Sequence, residues 1–509
     1  MIGSRPAQLR ETHTGIVVLC GERAYKLKKP IATDFLDFST PERRERACAR
    51  EFELNRRLAP DVYLGIAHLT DPEGGPDEPV VVMRRMPEER RLSNILADPA
   101  VRRSELSALV QVLTHFHHTA RRGPDIDRAG TPAELRSRWR ILLHSLGEQH
   151  ADLVDPAQLA RIAALSMRYI DGRKPLLATR VAEGRIVDGH GDLLAEDIFD
   201  LADGFRVLDC LDFDDRLRYV DCLDDIAFLA MDLEFMGHRE LGDRLLDDYL
   251  HAAADPAPTS LRDHYVAYRA LVRAKVDTIR FGQGEVAARD CAHRHLEIAA
   301  RHLERGAVRL VLVGGLPGTG KTTVAETLAA TTGAVVISSD RVRRELRAGH
   351  EIAGAIGTFG VGAYAPADKA LVYTQILARA RTLLESGVSV ILDASWIDAA
   401  QRRRATALAD ETAAELVALR CECSRALANR RIRHRAACES DATPHIADAM
   451  AVTASSWPEA VVLDTALPLD RTVAAAVRAW QRAESDQSKD FRHQNGVDLR
   501  RAELDRSVI

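Results

Sequence analysis

The stretch V311-L-V-G-G-L-P-G-T-G-K-T-T323 decides the fold of the second half of this 509-residue chain. An apolar run is followed by glycines, a lysine and two threonines, and residues 315–322 match the pattern G-x-x-x-x-G-K-[ST]. Glycine tolerates the backbone angles that turn successive N–H groups toward phosphate oxygens. The pattern therefore predicts a strand, a phosphate-binding loop (P-loop) and the start of a helix.

Each residue type in this loop has a predicted contact with ATP. The glycine backbone surrounds the phosphates, the lysine reaches the β and γ phosphates, and the first threonine hydroxyl binds Mg²⁺. The helix that begins here adds its positive dipole end. A structural glycine turn is the alternative, but the strand before the loop and the helix after it favour nucleotide binding. The predicted nucleotide-binding residues are Gly315, Gly318, Gly320, Lys321, Thr322 and Thr323.

Composition indicates a globular protein of two or three domains with no overall charge that would favour binding to nucleic acid or membrane. The chain is 46% hydrophobic and 28% charged, and 70 basic residues stand against 75 acidic ones, a net charge of −5. The eight cysteines are scattered, as in a reduced compartment. The N-terminal sequence has no apolar signal core, and no apolar run is long enough to span a bilayer. We expect a cytoplasmic protein.

The pattern of predicted strands and helices changes at Gly306, which we take as a domain boundary. Beyond it, strands predicted at 308–313, 334–338, 388–393 and 415–421 alternate with helices. This alternation predicts an α/β domain with a parallel sheet and helices on both faces. Ligands in such domains lie at the carboxyl ends of the strands. The polar residues from 485 onward predict a disordered or loosely attached tail.

Two carboxylates and an arginine follow strands at this expected ligand-binding edge. Asp340 could accept a proton from a substrate hydroxyl or orient it, or it could cap the next helix. Arg343 lies three residues later, on the same helical face. Asp393 could hold the Mg²⁺ shell, and the alanine after it argues against a motor ATPase. The basic run N429-R-R-I-R-H-R is either a solvated face or a lid whose arginine neutralises the transferring phosphoryl group.

These segments together resemble the P-loop kinase group, which contains polynucleotide 5′-kinases, gluconate kinases and zeta-type toxins. The resemblance is carried by G315-L-P-G-T-G-K-T-T, S338-S-D-R-V-R-R and V390-I-L-D-A-S. It implies that Asp340 contacts the acceptor hydroxyl and that Arg343 contacts the substrate. No N-K-x-D motif for guanine recognition is present, so a GTPase is not indicated.

The beginning of the chain predicts a lysine–glutamate pair. A hairpin is expected over residues 15–28, and A24-Y-K places Lys26 on its second strand, with Lys28 on the same face as the fallback. Thr40 and Pro41 predict the start of a helix, in which Glu51 shares one stripe with three apolar residues. A carboxylate in that seam needs a partner, which Lys26 would supply. The alternative places both lysines on the solvent face.

A second acidic stretch, H190-G-D-L-L-A-E-D-I-F, carries Asp192 and Asp197 in a predicted loop before a strand. Together with L211-D-F and D221-C-L-D-D, it resembles the aminoglycoside phosphotransferase family, which has a protein-kinase-like fold. The resemblance implies that Asp192 is the catalytic base and that Asp197 and Asp212 are Mg²⁺ ligands. Asp197 stands where the family has asparagine, so it would add a negative charge beside ATP. The family's nucleotide-binding lysine and its glutamate would be Lys26 and Glu51.

The whole chain resembles bacterial proteins that join these two families. We predict an α+β protein-kinase-like domain over residues 1–305, an α/β P-loop kinase domain over 306–484 and a tail over 485–509. The predicted activity is transfer of the γ-phosphoryl of ATP, with Mg²⁺, to a hydroxyl of an unidentified small molecule at two nucleotide sites.

Three alternatives stay open at this point. The N-terminal half could be a regulatory module without catalysis. The protein could be a nucleic-acid 5′-hydroxyl kinase, although it shows no broad basic surface, or an antibiotic-modifying enzyme. The sequence does not indicate an oligomeric state.

Overall fold

The computed structural model describes residues 7–11, 15–32, 37–97, 105–149, 153–352, 366–434 and 443–494. The strands are β1 Gln8–Glu11, β2 Gly15–Cys20, β3 Arg23–Lys28, β4 Tyr63–Leu69, β5 Glu78–Arg84, β6 Ile186–Asp188, β7 Ile198–Leu201, β8 Gly204–Val207, β9 Tyr219–Asp221, β10 Arg309–Gly314, β11 Val335–Ser338, β12 Val390–Asp393, β13 Glu415–Glu422 and β14 Val461–Asp464. The helices are α1 Pro41–Asn55, α2 Leu92–Ile95, α3 Glu105–Thr119, α4 Pro124–Asp127, α5 Pro132–Gln149, α6 Pro156–Gly172, α7 Lys174–Ala182, α8 Asp215–Arg218, α9 Cys222–Phe235, α10 Arg239–Ala252, α11 Thr259–Gly282, α12 Ala288–Arg305, α13 Lys321–Thr332, α14 Ser339–Ala348, α15 Pro366–Glu385, α16 Ala399–Glu411, α17 Arg425–His434, α18 Pro444–Thr453 and α19 Leu469–Gln494. Short 3₁₀ turns lie at Glu88–Arg90, Arg128–Gly130 and Ala195–Asp197.

The chain begins with a small antiparallel sheet in the order β1-β2-β3-β5-β4. The predicted hairpin is confirmed: β2 pairs with β3, and Gly21 takes the left-handed turn with a φ of 57°. Helix α1 packs on this sheet. It begins as predicted, with Thr40 as the N-cap accepting from the N–H of Arg43 and with Pro41 in the first turn. The sequence analysis missed the edge strands β1 and β4.

A larger helical part follows, built mainly from α3, α5, α6 and α9–α12. Between it and the small sheet lie two antiparallel ribbons, β6–β9 and β7–β8, which carry the acidic stretch of residues 188–221. A small sheet with one helix, acidic ribbons and a helical lobe form a protein-kinase-like domain, as predicted. Its core is dense because α9 and α11 are largely buried along their length.

The C-terminal half is a parallel sheet in the order β11-β12-β10-β13-β14 with helices on both faces. All six residues of the central strand β10 are buried, as expected for a strand covered on both sides. The four predicted strands are confirmed, and β14 adds a fifth at the edge. Helix α13 ends where predicted, at Gly333 with a φ of 72°. The sheet therefore brings the ends of β10, β11 and β12 to one edge.

The two halves meet through a continuous buried region. Helix α12 ends at Arg305 and β10 begins at Arg309, and apolar side chains on both sides of this junction belong to one buried cluster. Ser260 Oγ donates to the carbonyl of Gly387 at 2.7 Å, which fixes the start of α11 to the loop before β12. Helix α19 continues past the predicted domain end at 484 to Gln494, and residues 495–509 lie outside the described residues.

None of the helices in the described ranges has the length and apolar character needed to cross a bilayer.

Candidate nucleotide-binding and active sites

The P-loop between β10 and α13 is shaped by three glycines with positive φ. Gly315, Gly318 and Gly320 have φ values of 136°, 80° and 84°. A Cβ on Gly315 would lie 2.5 Å from the carbonyl oxygen of Cys421, and one on Gly318 would lie 2.5 Å from that of Ala428. The loop is therefore both left-handed and closely covered by backbone, which fits a cradle for phosphate oxygens.

The lysine and threonine of the loop lie beside the carboxylate that ends β12. Lys321 Nζ donates to the carbonyl of Leu316 at 3.0 Å, and Thr322 Oγ1 donates to Asp393 Oδ2 at 2.7 Å. Asp393 is 4% exposed, and burial raises its pKa while the charge of Lys321 lowers it. A hydroxyl and a carboxylate in contact are the hard oxygen donors that Mg²⁺ prefers. The structure thus brings Lys321, Thr322 and Asp393 together as the sequence predicts.

Asp340 and Arg343 face the P-loop across a cleft of about 850 Å³. The N-cap of α14 is Ser338, and Asp340 lies in the first turn, so it does not cap the helix. Arg343 Nη1 contacts Asp340 Oδ1 at 2.5 Å, which shows that the two side chains share one helical face. Both line the same cleft as Lys321 and Asp393.

The basic run on α17 contributes one arginine to the cleft. Arg431 lines the cleft, and its Nη2 donates to the carbonyl of Thr465 at 2.7 Å, so it is held against the end of β14. Arg430 and Arg433 of the same run are exposed. The run is therefore partly a wall of the cleft and partly a solvated surface. Residue 435, its last arginine, lies outside the described residues.

The N-terminal site contains a chain of alternating charges. Lys26 Nζ lies 2.8 Å from Glu51 Oε1 and 2.5 Å from Asp209 Oδ1. Lys28 Nζ lies 2.7 Å from Glu51 Oε2 and 2.7 Å from Asp212 Oδ2. Glu51 is 1% exposed and bridges both lysines. The lysines therefore face the seam with α1, and the alternative that puts them on the solvent face is wrong.

The electrostatics of this site favour the charged forms of Lys26 and Glu51. Burial opposes the charge on Lys26, but the carboxylates of Asp209 and Glu51 outweigh it and raise the pKa of Lys26 well above its ordinary value. Burial also opposes ionisation of Glu51, and the two lysines nevertheless lower the pKa of its carboxyl group. Each buried charge is thus stabilised by a neighbour of opposite sign.

The loop that carries Asp192 is fixed from behind by a buried aspartate. The N–H groups of His190 and Gly191 donate to Asp225 at 2.7 and 2.9 Å, and the ring of His190 donates to the carbonyl of Leu208 at 3.0 Å. Burial lowers the pKa of His190 to about 4, so this histidine is a neutral structural element. Burial raises the pKa of Asp192 to about 6.

The carboxylate that accompanies Asp192 and Asp197 is Asp209, which the sequence analysis missed. Asp209 follows β8, has a φ of 60°, and its charge raises the pKa values of both Asp192 and Asp197. Asp212, the residue we predicted from the L211-D-F match, forms an ion pair with Lys28, as Asp209 does with Lys26. The signal in the sequence was the aspartate two residues beyond a buried strand, V207-L-D209.

Asp197 lies at the start of β7, at the end of the short 3₁₀ turn. Burial and the neighbouring charges of Asp209, Glu196 and Asp192 raise the pKa of Asp197 well above its ordinary value. Several carboxylates close together repel one another unless a cation or a proton lies between them. Carboxylate oxygens are the donors that Mg²⁺ prefers, but among the described residues no group of three or more His, Cys, Asp or Glu side chains is arranged to hold a metal ion.

A protein of Mycobacterium tuberculosis described as uncharacterized is 49% identical to this chain over 477 residues, which cover 93% of this chain and 95% of that protein. The chain belongs to the family of this mycobacterial protein. The match covers both halves of this chain.

A protein-family model described as "AAA domain" matches residues 310–456 of this chain, which lie in the P-loop half. A gluconokinase from Sinorhizobium meliloti is 20% identical, covers 38% of this chain and 99% of its own, and has a TM-score of 0.28. The GDP complex of aminoglycoside 2′-phosphotransferase-IIIa is 15% identical, covers 59% of this chain and 93% of its own, and has a TM-score of 0.37.

The sheet orders and site geometry described above define the fold of this family member. A protein-kinase-like domain with a buried lysine–glutamate pair precedes a P-loop kinase domain with a five-stranded parallel sheet. Two residues that line the cleft, Thr465 and Lys369, carried no signal in the sequence. Both lie far along the chain from the P-loop and reach the cleft only through the tertiary fold.

Proposed function

We propose that the protein is an ATP- and Mg²⁺-dependent phosphotransferase with two nucleotide sites, each moving a γ-phosphoryl group to a hydroxyl of a small-molecule acceptor. One observation carries the proposal. The P-loop pair Thr322 and Asp393 faces the Asp340–Arg343 pair across one cleft, so phosphate-binding groups and candidate acceptor-binding groups lie opposite each other.

In the C-terminal site, the work of the protein is positioning and charge neutralisation. Lys321 leaves its contact with Leu316 and pairs with the phosphates, and Arg431 adds positive charge from the lid side. Thr322 and Asp393 would hold Mg²⁺, which neutralises negative charge on the phosphates when bound. Asp340 orients the acceptor hydroxyl or accepts its proton.

In the N-terminal site, we assign the phosphate-binding lysine to Lys26, held by Glu51. Asp192 acts as the base, and its raised pKa brings it into the range where a carboxyl group can accept a proton near neutrality. We assign the Mg²⁺ ligands to Asp197 and Asp209 rather than Asp212, because the charge of Asp209 acts directly on Asp192 and Asp197.

A second candidate function is favoured by one specific observation. Lys26 is already paired with two carboxylates, and Asp197 adds a negative charge where the related phosphotransferases have asparagine. A site with this charge balance could bind a ligand without catalysis and control the P-loop half. In that case only the C-terminal half transfers phosphate.

Transfer of label from γ-labelled ATP to a pool of cell metabolites tests both candidates. The experiment compares the wild type with Lys321→Ala and Asp192→Ala, and with Lys174→Ala as a control for an exposed lysine. Two products, each lost with a different variant, support two active sites. One product that disappears only with Lys321→Ala supports the regulatory role. No labelled product from any protein would overturn the phosphotransferase proposal.

A further inference from the structure

The acceptor end of the P-loop cleft contains a lysine that the proposed reaction does not use. Lys369, on α15, lines the cleft together with Asp340, Arg343 and Tyr373. In the part of the chain that the structure describes, no side chain forms an ion pair or a hydrogen bond with Lys369. It is half-buried, so its charge is only partly solvated by water. A half-buried cation without a partner is a costly arrangement unless a ligand completes it.

The structure fixes the position of Lys369 relative to the reacting groups. Tyr373 lies one helical turn further along α15, and its hydroxyl is 3.3 Å from Ser395 Oγ and 3.3 Å from the backbone N–H of Trp396. Ser395 is two residues beyond Asp393, the carboxylate bound to Thr322. These contacts hold the first turns of α15 over the same edge of the sheet as the P-loop.

A second link holds α15 against the helix that carries Asp340. Arg379 Nη1 lies 2.6 Å from Glu345 Oε2, an ion pair that joins α15 to α14. Lys369 and Arg343 are therefore presented by two helices that are tied together. Their positions in the cleft are set by the fold and not only by side-chain rotamers.

Two carboxylates, Asp340 and Asp398, act on the two cations at this end of the cleft. Asp340 is paired with Arg343 at 2.5 Å, so that pair is close to neutral. Asp398 is the carboxylate that acts on Lys369 from α16, but it serves as the N-cap of that helix and accepts from the N–H of Ala400 at 2.8 Å. Burial and the charge of Arg343 lower the pKa of Lys369. Lys369 and Arg343 therefore repel each other across this end of the cleft, and an oxyanion bound between them would offset that repulsion.

From this geometry we propose that the acceptor of the C-terminal site carries an anionic group, a carboxylate or a phosphate, that binds between Lys369 and Arg343. The inference rests on the proposed phosphotransferase function of this cleft. Arg343 offers a planar guanidinium and Lys369 a compact ammonium, a combination that suits an oxyanion. The hydroxyl groups of Ser395 and Tyr373 add hydrogen-bonding capacity beside it. Lys369 is a specificity-determining residue and takes no part in the chemical step.

Fractionated metabolites test the proposal in the full-length Asp192→Ala protein, which reports on the C-terminal site alone. Anionic, neutral and cationic pools are offered separately with γ-labelled ATP. We expect label in the anionic pool. We also expect Lys369→Gln to raise the KM for the acceptor about tenfold or more, with kcat and the KM for ATP within about twofold. Lys369→Arg restores most of the acceptor affinity, and Lys174→Gln serves as the matched control. Label in the neutral or cationic pool, or a change only in the KM for ATP, would overturn the proposal.

A binding measurement separates this proposal from the proposed reaction. With Mg²⁺ and a non-hydrolysable ATP analogue filling the P-loop, tartrate is titrated as an anionic probe, and erythritol serves as its neutral four-carbon counterpart. Tartrate binding that falls about tenfold in Lys369→Gln, with no response to erythritol, supports the anion site even if no pool accepts label. Equal responses to tartrate and erythritol, or no tartrate binding, would overturn it.

Discussion

The two candidate sites bind charge in opposite ways. In the P-loop, glycines with positive φ shape the backbone, and Lys321 donates a hydrogen bond to a carbonyl of its own loop. In the N-terminal site, Lys26, Lys28 and Glu51 are buried and neutralise one another and two further aspartates. The P-loop is arranged to bind an anion from outside the protein, whereas the cations of the N-terminal site are paired with carboxylates of the protein itself.

Because of this difference, substitutions of charged residues should affect the stability of the fold at one site and ligand binding at the other. A buried ion pair is costly to break because the remaining partner is left as an unpaired buried charge. A lysine that contacts one carbonyl can be removed with little effect on folding. We therefore expect the charges of the N-terminal site to stabilise the fold, and those of the C-terminal site to act almost entirely on the ligand.

The largest expected effect is the loss of the carboxylate charge between the two lysines. Glu51→Gln leaves Lys26 and Lys28 facing each other without that charge, and we expect it to lower the free energy of unfolding by about 3–5 kcal/mol. Chemical unfolding of the purified protein measures this change. Glu53→Gln is the matched control, because Glu53 is 72% exposed and we expect an effect within about 0.5 kcal/mol. Similar small effects for both variants would contradict the proposed stabilising role.

The opposite pattern is expected for the P-loop lysine. Lys321→Met should lower phosphate transfer at the C-terminal site by about 10²–10³-fold, because a preorganised charge on the transferring group is lost. The free energy of unfolding should change by less than about 1 kcal/mol, since the lysine makes one hydrogen bond to its own loop. Steady-state kinetics and chemical unfolding on the same samples check both halves of the prediction. A large loss of stability would remove the contrast between the sites.

The sequence predicted the parts of both sites whose residues lie close together along the chain. The P-loop is one continuous segment, so its pattern fixes Lys321 and Thr322 directly. The Lys26–Glu51 pair followed from the periodicity of α1, because a carboxylate in an apolar stripe needs a partner.

Positions that depend on tertiary packing could not be read in this way. Asp209 and Asp212 both follow strand-like residues. Only the folded chain shows that Asp212 forms an ion pair with Lys28 and that Asp209 forms one with Lys26. Strand β14 is short and partly exposed, so its period-2 pattern is weak. Lys369 lies on an ordinary helix, and its place in the cleft follows from the contacts of Tyr373.

The pH dependence of the two sites should also differ. The pKa of Asp192 is raised to about 6 by burial, so the ionised form that can accept a proton becomes dominant as pH rises above that value. In the Lys321→Met protein, which leaves only the N-terminal reaction, kcat/KM should rise about tenfold from pH 5 to pH 7 and then level off. Asp192→Asn should abolish the reaction at every pH. A flat profile over this range would contradict a role for Asp192 as the base.

The smallest effect concerns the extra charge of the N-terminal site. Asp197→Asn removes one carboxylate from the group that includes Asp192 and Asp209, and restores the residue type found in the related phosphotransferases. We expect ATP to bind the N-terminal site about fivefold more tightly at low Mg²⁺, because repulsion of the phosphates falls by about 1 kcal/mol in this partly solvated setting. Titration of the Lys321→Met protein with a fluorescent ATP analogue measures the change. Asp203→Asn, which alters an exposed aspartate paired with Arg206, should stay within about twofold of the parent. If Asp197→Asn instead weakens binding at low Mg²⁺, repulsion between Asp197 and the phosphates is not the dominant effect of this side chain.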